Sequence, residues 1–199
     1  MSSTNRGYER HKTDFYVTPQ PAIKIFLDHF RFDVNSEFHD STLILNNAKW
    51  FDPCAGGDAK HEMSYPEVIR KEFNPIVLHT MDIREDSKAK YKEDYLLSKD
   101  IKGKYDIIIT NPPFFIAKEV ILKALDDVCE GGYVIMLLRL NFFGSNSRFI
   151  FFQQQLPIWS YVHHRRFSFT EDSKTDSIEY MHAVWQKDVS PEFTMLKVI

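Results

Sequence analysis

The stretch Tyr105-Asp106-Ile107-Ile108-Ile109-Thr110-Asn111-Pro112-Pro113-Phe114 sets three consecutive isoleucines directly before a double proline. The isoleucine run has the composition of a strand covered on both faces. The two prolines fix two φ angles and remove two N–H donors, so the chain must leave the strand there in a rigid turn whose carbonyls stay free. In that turn the Asn111 side-chain oxygen and the Pro112 carbonyl can both accept hydrogen bonds from one exocyclic NH2 group, and Phe114 offers a face on which a flat base can stack. With proline at ~5% of residues a Pro-Pro pair arises at roughly one position in 400, so the surrounding sequence has to decide whether the turn is functional.

Downstream, Ala117, Val120, Ile121, Ala124, Leu125 and Val128 repeat at three and four until Gly131-Gly132 stops the pattern, which predicts a helix. Residues 133–138 form another apolar run. Upstream, Ile23, Phe26, Leu27 and Phe30 follow Pro21 at helical spacing, and residues 65–73 repeat the pattern with Val68, Ile69 and Phe73. Residues 49–51 and 75–79 are short strand candidates, while residues 32–47 carry no clear period. Residues 148–155 predict a helix, and residues 157–163 and 178–186 predict two further strands, the latter antiparallel. Strand, helix and strand alternate without hairpin signals, which implies an α/β fold with a mostly parallel sheet and helices on both faces. Ligands of open α/β sheets bind beyond the carboxyl ends of strands. Asp52-Pro53-Cys54-Ala55-Gly56-Gly57-Asp58, Asp82 and Asn111 to Phe114 all fall at such ends.

Composition bounds the alternatives. The 199 residues, 43% hydrophobic, suffice for one full core. Seventeen Phe, nine Tyr and three Trp mostly fill that core and leave some rings for stacking. A net charge of −3 excludes a uniformly basic nucleic-acid binder, so nucleic-acid contact would use local patches. Two cysteines without a CxxC spacing fit a reducing compartment and argue against a disulfide framework or zinc site. His61-Glu62 lacks a second zincin histidine, and the adjacent His163 and His164 point to opposite faces of a strand, so no metal is expected. Without an apolar leader or an 18-residue apolar stretch, the expectation is a soluble, cytoplasmic protein with no membrane partner.

On these residues the chain resembles the class I S-adenosylmethionine-dependent methyltransferases, and within them the adenine-N6 DNA methyltransferases of the phage and prophage type. The likeness spans roughly residues 13 to 187. Asp14-Phe15-Tyr16-Val17-Thr18-Pro19 is similar to the segment that packs on the methionine end of the cofactor. Asp52-Pro53-Cys54-Ala55-Gly56-Gly57 resembles the first motif, the turn beneath the cofactor. Asp82, with Ile83 beside it, matches the acid whose carboxylate accepts from the ribose hydroxyls. Asp94-Tyr95-Leu96 looks like the motif that accepts from the cofactor adenine and flanks its ring. Asn111-Pro112-Pro113-Phe114 is similar to the catalytic signature. Arg166-Phe167-Ser168-Phe169-Thr170, Lys174-Thr175-Asp176 and Tyr180 resemble the wall of the target-base pocket.

The resemblance implies a Rossmann-like fold with a seven-stranded, mostly parallel sheet and an antiparallel strand near the C-terminus. It implies S-adenosylmethionine as cofactor and methyl transfer to adenine N6 in duplex or single-stranded DNA, in the cytoplasm of a bacterial or phage-infected cell, as protection against restriction. Three departures stand out. Asp58 replaces the second glycine of GxG, which brings His61 or Ser64 near the cofactor. The gap from Asp52 to Asp82 exceeds the ~20 residues of a dinucleotide fingerprint. Phe167 stands where a proline is common.

Residues 1–13 are expected to form a flexible basic arm, carrying Arg6, Arg10 and Lys12, on a single domain of residues 14–199 with no separate target-recognition domain. DNA contacts are assigned to that arm and to Arg139, Asn141, Ser145, Arg148 and Arg166, with Phe169 in the base pocket. Any longer sequence preference would need a partner or a homodimer. The same turn serves RNA guanine-N2, RNA adenine-N6 and protein glutamine-N5 methyl transfer, although Phe114 stands where the glutamine enzymes usually have Tyr. A non-catalytic cofactor- or DNA-binding protein is the remaining alternative, and the retained Asn111 and acids weigh against it.

Overall fold

The computed structural model of the protein describes residues 16–37, 45–169 and 177–199. Eight strands form one sheet: β1 (Lys49–Asp52), β2 (Val77–Asp82), β3 (Tyr91–Lys92), β4 (Ile107–Thr110), β5 (Tyr133–Arg139), β6 (Trp159–Val162), β7 (Tyr180–Gln186) and β8 (Met195–Val198). Their order is β3-β2-β1-β4-β5-β7-β6-β8. β7 runs antiparallel to both β5 and β6, and the other pairings are parallel. The fold is therefore the Rossmann-like mixed sheet expected, with eight strands rather than seven. The additional strand, β8, lies at the sheet edge against β6. Its side chains are mostly exposed, so it carries none of the alternation that marks a half-buried strand.

The three isoleucines of β4 show how the core divides. Ile107 and Ile109 face one side with Trp50, Ile135, Trp159 and Val184, whereas Ile108 faces the other with Phe51, Val134 and Met136. The first side is covered by α1 (Gln20–Glu37), through Ile23, Phe26, Leu27 and Phe30, and by α2 (Ser64–Glu72). The second is covered by α3 (Ala117–Asp127), through Val120, Ile121 and Ala124, and by α4 (Phe149–Gln154). All three isoleucines are fully buried, worth about 1.5–3 kcal/mol each. A central strand covered on both faces explains an apolar run without alternation.

From β1 the chain winds outward to β2 and β3, then returns to β4 on the other side of β1. The crevice between the carboxyl ends of β1 and β4 is thus the switch point of the sheet. There the Cys54 amide donates to the Thr110 hydroxyl at 3.2 Å, closing the two strand ends together. No helix among the described residues is long and apolar enough to cross a membrane.

Candidate functional site

A cavity of about 370 Å³ opens at this switch point. Its floor is the loop after β1. Gly56 and Gly57 adopt φ of 67° and 75°, conformations that L side chains rarely take. The Gly56 amide donates to Asp82 Oδ2 at 2.8 Å, and the Arg84 amide donates to Asp82 Oδ1 at 2.9 Å. One carboxylate therefore ties the β1 loop to the β2 loop. Arg84 Nη2 reaches the Gly57 carbonyl at 2.8 Å and the Ser87 hydroxyl the Gly56 carbonyl at 2.5 Å, so the glycine loop is held on both carbonyls. Asp94 caps the short 3₁₀ turn Tyr95–Leu97 by accepting from the Leu96 amide at 2.9 Å.

The sequence-predicted residues divide clearly around this cavity. Pro53, Cys54, Ala55, Gly56 and Gly57 line it, as do Asp82, Ile83, Asp94 and Tyr95. Tyr16, Thr18, Asn111 and Pro113 line it too. Pro19 does not; its carbonyl starts α1 by accepting from Ala22 and Ile23. Asp52 lies beneath the floor, fully buried, with Oδ1 accepting from the Cys54 amide at 3.2 Å and Oδ2 unpartnered among the described residues. Burial, opposed by the neighbouring Thr110 hydroxyl and the Cys54 amide, pushes its carboxyl up to about 7. The Cys54 thiol is also raised, by burial and then by the Asp52 charge.

Asn111 lines the cavity beside Thr18. Its Nδ2 donates to the Thr18 hydroxyl at 3.1 Å, and its Oδ1 is buried with no hydrogen-bond partner among the described residues. The Pro113 carbonyl is taken by the Ile116 amide at 3.1 Å, whereas no described residue donates to the Pro112 carbonyl. Phe114 does not face the cavity. It packs in a small aromatic cluster with Phe167, Phe169 and Tyr180, its ring 5.9 Å from that of Tyr180, and the Arg139 guanidinium covers it at 4.6 Å. The aromatic that does line the cavity is its neighbour Phe115, 77% exposed.

The proposed nucleic-acid residues lie outside the cavity. Phe169 packs on the cavity residue Tyr16 at 5.6 Å. Arg139 keeps a buried Nε without a partner among the described residues. Arg148, in contrast, is spent inside its own loop, with Nε donating to the Phe142 carbonyl at 2.6 Å and the guanidinium 4.4 Å above the Phe142 ring. Asn141 is exposed, and its carbonyl accepts from the Gly144 amide. Ser145 pairs with Ser147, and Arg166 with Glu179. Arg6, Arg10, Lys12, Asp14 and Phe15, and Thr170 with Lys174, Thr175 and Asp176, lie outside the described residues.

Sequence reasoning missed Tyr65, Arg84, Phe115, Ile116 and Val120 as lining residues. The spacing of Ile116 and Val120, four apart around the start of α3, was available as a signal; nothing local marks Tyr65 or Arg84. Of the two residues flagged beside the glycines, Ser64 lines the cavity, whereas His61 turns to Asp58 at 2.9 Å. Among the described residues no group of three or more His, Cys, Asp or Glu is placed to hold a metal ion.

No family model and no curated protein matches the sequence. Solved structures do match. A putative class I S-adenosylmethionine-dependent methyltransferase from Listeria monocytogenes aligns over 92% of this chain with a TM-score of 0.64 and 13% identity. The chain spans 65% of that protein's length. A putative RNA methyltransferase from Pyrococcus horikoshii aligns over 94% of this chain and 95% of its own, with a TM-score of 0.63 and 15% identity. An S-adenosylmethionine-dependent O-methyltransferase from Thermotoga maritima covers 87% of this chain with a TM-score of 0.55 and 13% identity. The chain thus has the fold of the class I S-adenosylmethionine-dependent methyltransferases.

Proposed function

We propose that the protein transfers a methyl group from S-adenosylmethionine to the N6 amino group of adenine in DNA. The observation that carries this reading is Asn111: a buried amide oxygen without a partner at the edge of the cavity, its nitrogen fixed to Thr18. An orphaned buried acceptor costs about 1–3 kcal/mol, which a ligand that donates to it would offset.

The cavity suits the cofactor on its own terms. Its volume falls in the small-ligand range of roughly 300–1,000 Å³. Two carboxylates line it and a third lies beneath, while the one arginine that lines it is locked 3.4 Å from Asp82. An acidic lining favours a cationic ligand, and the strand-end acid Asp82 can accept further from vicinal hydroxyls.

S-adenosylmethionine supplies, when bound, an electrophilic methyl group on a sulfonium. The chain's residues do the remainder. Asn111 Oδ1 and the Pro112 carbonyl accept the two amino hydrogens, which draws the nitrogen lone pair out of conjugation and aims it at the methyl carbon. On transfer the amino nitrogen would gain the methyl group and shed its surplus proton to solvent. The base reaches Asn111 flipped from its stack, and for it to lie on Phe114 the Arg139 guanidinium must swing off that ring.

A second reading, methyl transfer to an exocyclic amine of RNA, draws on the full-length likeness to the putative RNA methyltransferase. One assay separates them: tritiated S-adenosylmethionine offered with duplex DNA, single-stranded DNA, RNA and protein, followed by nucleoside analysis. N6-methyldeoxyadenosine is the expected product, and label found only in RNA or protein would overturn the assignment to DNA.

A further inference from the structure

The turn that carries Asn111 also carries Phe114, and the neighbours of that ring fall into two kinds. Leu137, Phe167 and Tyr180 pack with it and are each at most 4% exposed, so they are fixed parts of the core. The other neighbour is Arg139, the last residue of β5, whose guanidinium carbon stands 4.6 Å from the centre of the Phe114 ring. Arg139 is registered opposite Tyr180 on β7, so strand pairing delivers the cation to this ring.

Little holds Arg139 there. Its buried Nε has no hydrogen-bond partner, and no carboxylate pairs with its guanidinium, among the described residues. Glu179, beside Tyr180, bonds to Arg166 at 2.9 Å instead. A guanidinium is flat and permanently charged, and its best partners are planar anions and aromatic faces. Here it has the aromatic face alone. Lying over Phe114, it fills the place that an adenine would need.

We infer that Arg139 is a specificity-determining gate: it covers the stacking face of Phe114 until a phosphate of the acceptor strand draws it away, so the site takes a base within a nucleic-acid strand and turns away the free nucleoside. The inference rests on the reading of Phe114 as the stacking face for the substrate base.

The selection comes from an exchange of partners. A nucleoside that displaces Arg139 gains base stacking on Phe114, but it ends the cation–π contact and returns the guanidinium to water unpaired. The two stacking contacts are of similar size, so the exchange gains little. A base that arrives with its phosphodiester brings an anion for the displaced cation, and an Arg–phosphate pair is charge-assisted and can be bidentate. Base entry and backbone contact are then one event.

The inference is tested on the full chain with deoxyadenosine, with a thymidine–deoxyadenosine–thymidine trinucleotide, and with the same trinucleotide carrying uncharged methylphosphonate linkages. The ratio of kcat/KM between the charged and uncharged trinucleotides is expected to be about tenfold larger in the wild type than in Arg139→Ala, a cycle in which contacts made by other cations cancel. Equal ratios would overturn the gate. On deoxyadenosine, Arg139→Ala is expected to match or exceed the wild type; a loss there as large as on the charged trinucleotide would mark Arg139 as structural and overturn it as well.

A second readout needs no turnover and no variant that has to be active. With S-adenosylhomocysteine bound, the Arg139 guanidinium protons are expected upfield in the NMR spectrum, shielded by the Phe114 ring. They should move downfield on adding the charged trinucleotide and stay in place with the same concentration of deoxyadenosine. A signal that the trinucleotide leaves unmoved overturns the inference whether or not methyl transfer is seen. Transfer to RNA alone would overturn the DNA reading, and the same ratio measured on a ribonucleotide trimer would still decide the gate. Transfer to no acceptor would overturn the functional reading, and the spectrum would still decide whether Arg139 leaves Phe114 for a phosphate.

Discussion

Thr18 and Asn111 are 93 residues apart in sequence and 3.1 Å apart in the fold, hydroxyl to amide nitrogen. That contact commits the nitrogen and leaves the oxygen free, which is the difference between an asparagine that fills a turn and one that can receive an amine. It also joins the segment before α1 to the turn after β4, so both must be in place for the amide to be oriented.

Removing the orientation without removing the amide separates these roles. Thr18→Val keeps the shape and loses the hydroxyl. The expected result is a kcat lower by roughly tenfold, equivalent to about 1.4 kcal/mol, with cofactor affinity nearly unchanged. Asn111→Ala should abolish transfer and leave cofactor binding intact. Single-turnover rates beside calorimetric binding measure both.

Asp82 has a binding and a structural part. It accepts from the Gly56 and Arg84 amides and pairs with the buried Arg84 guanidinium. Asp82→Ala leaves that cation with only the exposed Asp86 as counter-charge and strips the Gly56 and Arg84 amides of their acceptor, and a loss of about 1–3 kcal/mol in stability is expected. Asp82→Asn, milder in stability, should still weaken S-adenosylhomocysteine binding by at least about tenfold, since an amide cannot accept at both positions. Calorimetry on the folded Asn variant checks this.

Asp52 gives the protein a defined pH response. Its folded value, about 7, lies above the ordinary 3.8, because burial penalises the charge. Above about 7 both states are ionised and the buried charge is a full cost; below 3.8 both are neutral and the cost is gone. Between these values the folded state binds more protons, so this group's contribution to stability falls as pH rises from about 4 to 7. Asp52→Asn should flatten that dependence, gaining up to a few kcal/mol over wild type at pH 8 relative to pH 5. Urea unfolding of both proteins at the two pH values is the measurement.

Gly57 has φ +75°, and a Cβ there would come 3.0 Å from both the Lys88 Cβ and the Met63 Cγ. Gly57→Ala combines a left-handed backbone with a crowded methyl, and a destabilisation of at least about 1–2 kcal/mol is expected. The cavity floor would shift with it, so cofactor affinity should fall as well. Thermal melts with and without S-adenosylhomocysteine report both effects.

The two arginines after β5 should behave differently on DNA. Arg139→Ala removes a cation that stacks on Phe114 and has an unpartnered Nε, so DNA affinity is expected to drop and its salt slope to fall by about 1. Arg148→Ala breaks the bond to the Phe142 carbonyl, so its effect should be on the stability of the loop. Salt-dependent binding curves and melting temperatures distinguish the two.

Much of this was legible along the chain because it depends on local chemistry. Three isoleucines before two prolines require a buried strand and a rigid turn, and the apolar spacing from Ala117 to Val128 requires a helix, ended one residue earlier at Asp127. The glycine pair announced a backbone that only glycine adopts easily. Contacts across the fold were not legible. β3 and β8 are strands by virtue of their partners, two and four residues long at opposite sheet edges, with no period of their own. Sequence order could not say that Phe115 faces the cavity and Phe114 the Arg139 guanidinium, because a 3₁₀ turn sends consecutive rings in different directions. Nor could it single out Tyr65, His182 and His163, whose hydrogen bonds reach across 117 and 19 residues. The sequence by itself determined the turn, its neighbouring acids and the layered α/β architecture, since these follow from dihedral limits and burial. Only the tertiary structure decided which way the Asn111 amide points, because that depends on the Thr18 hydroxyl, brought to it from the segment before α1.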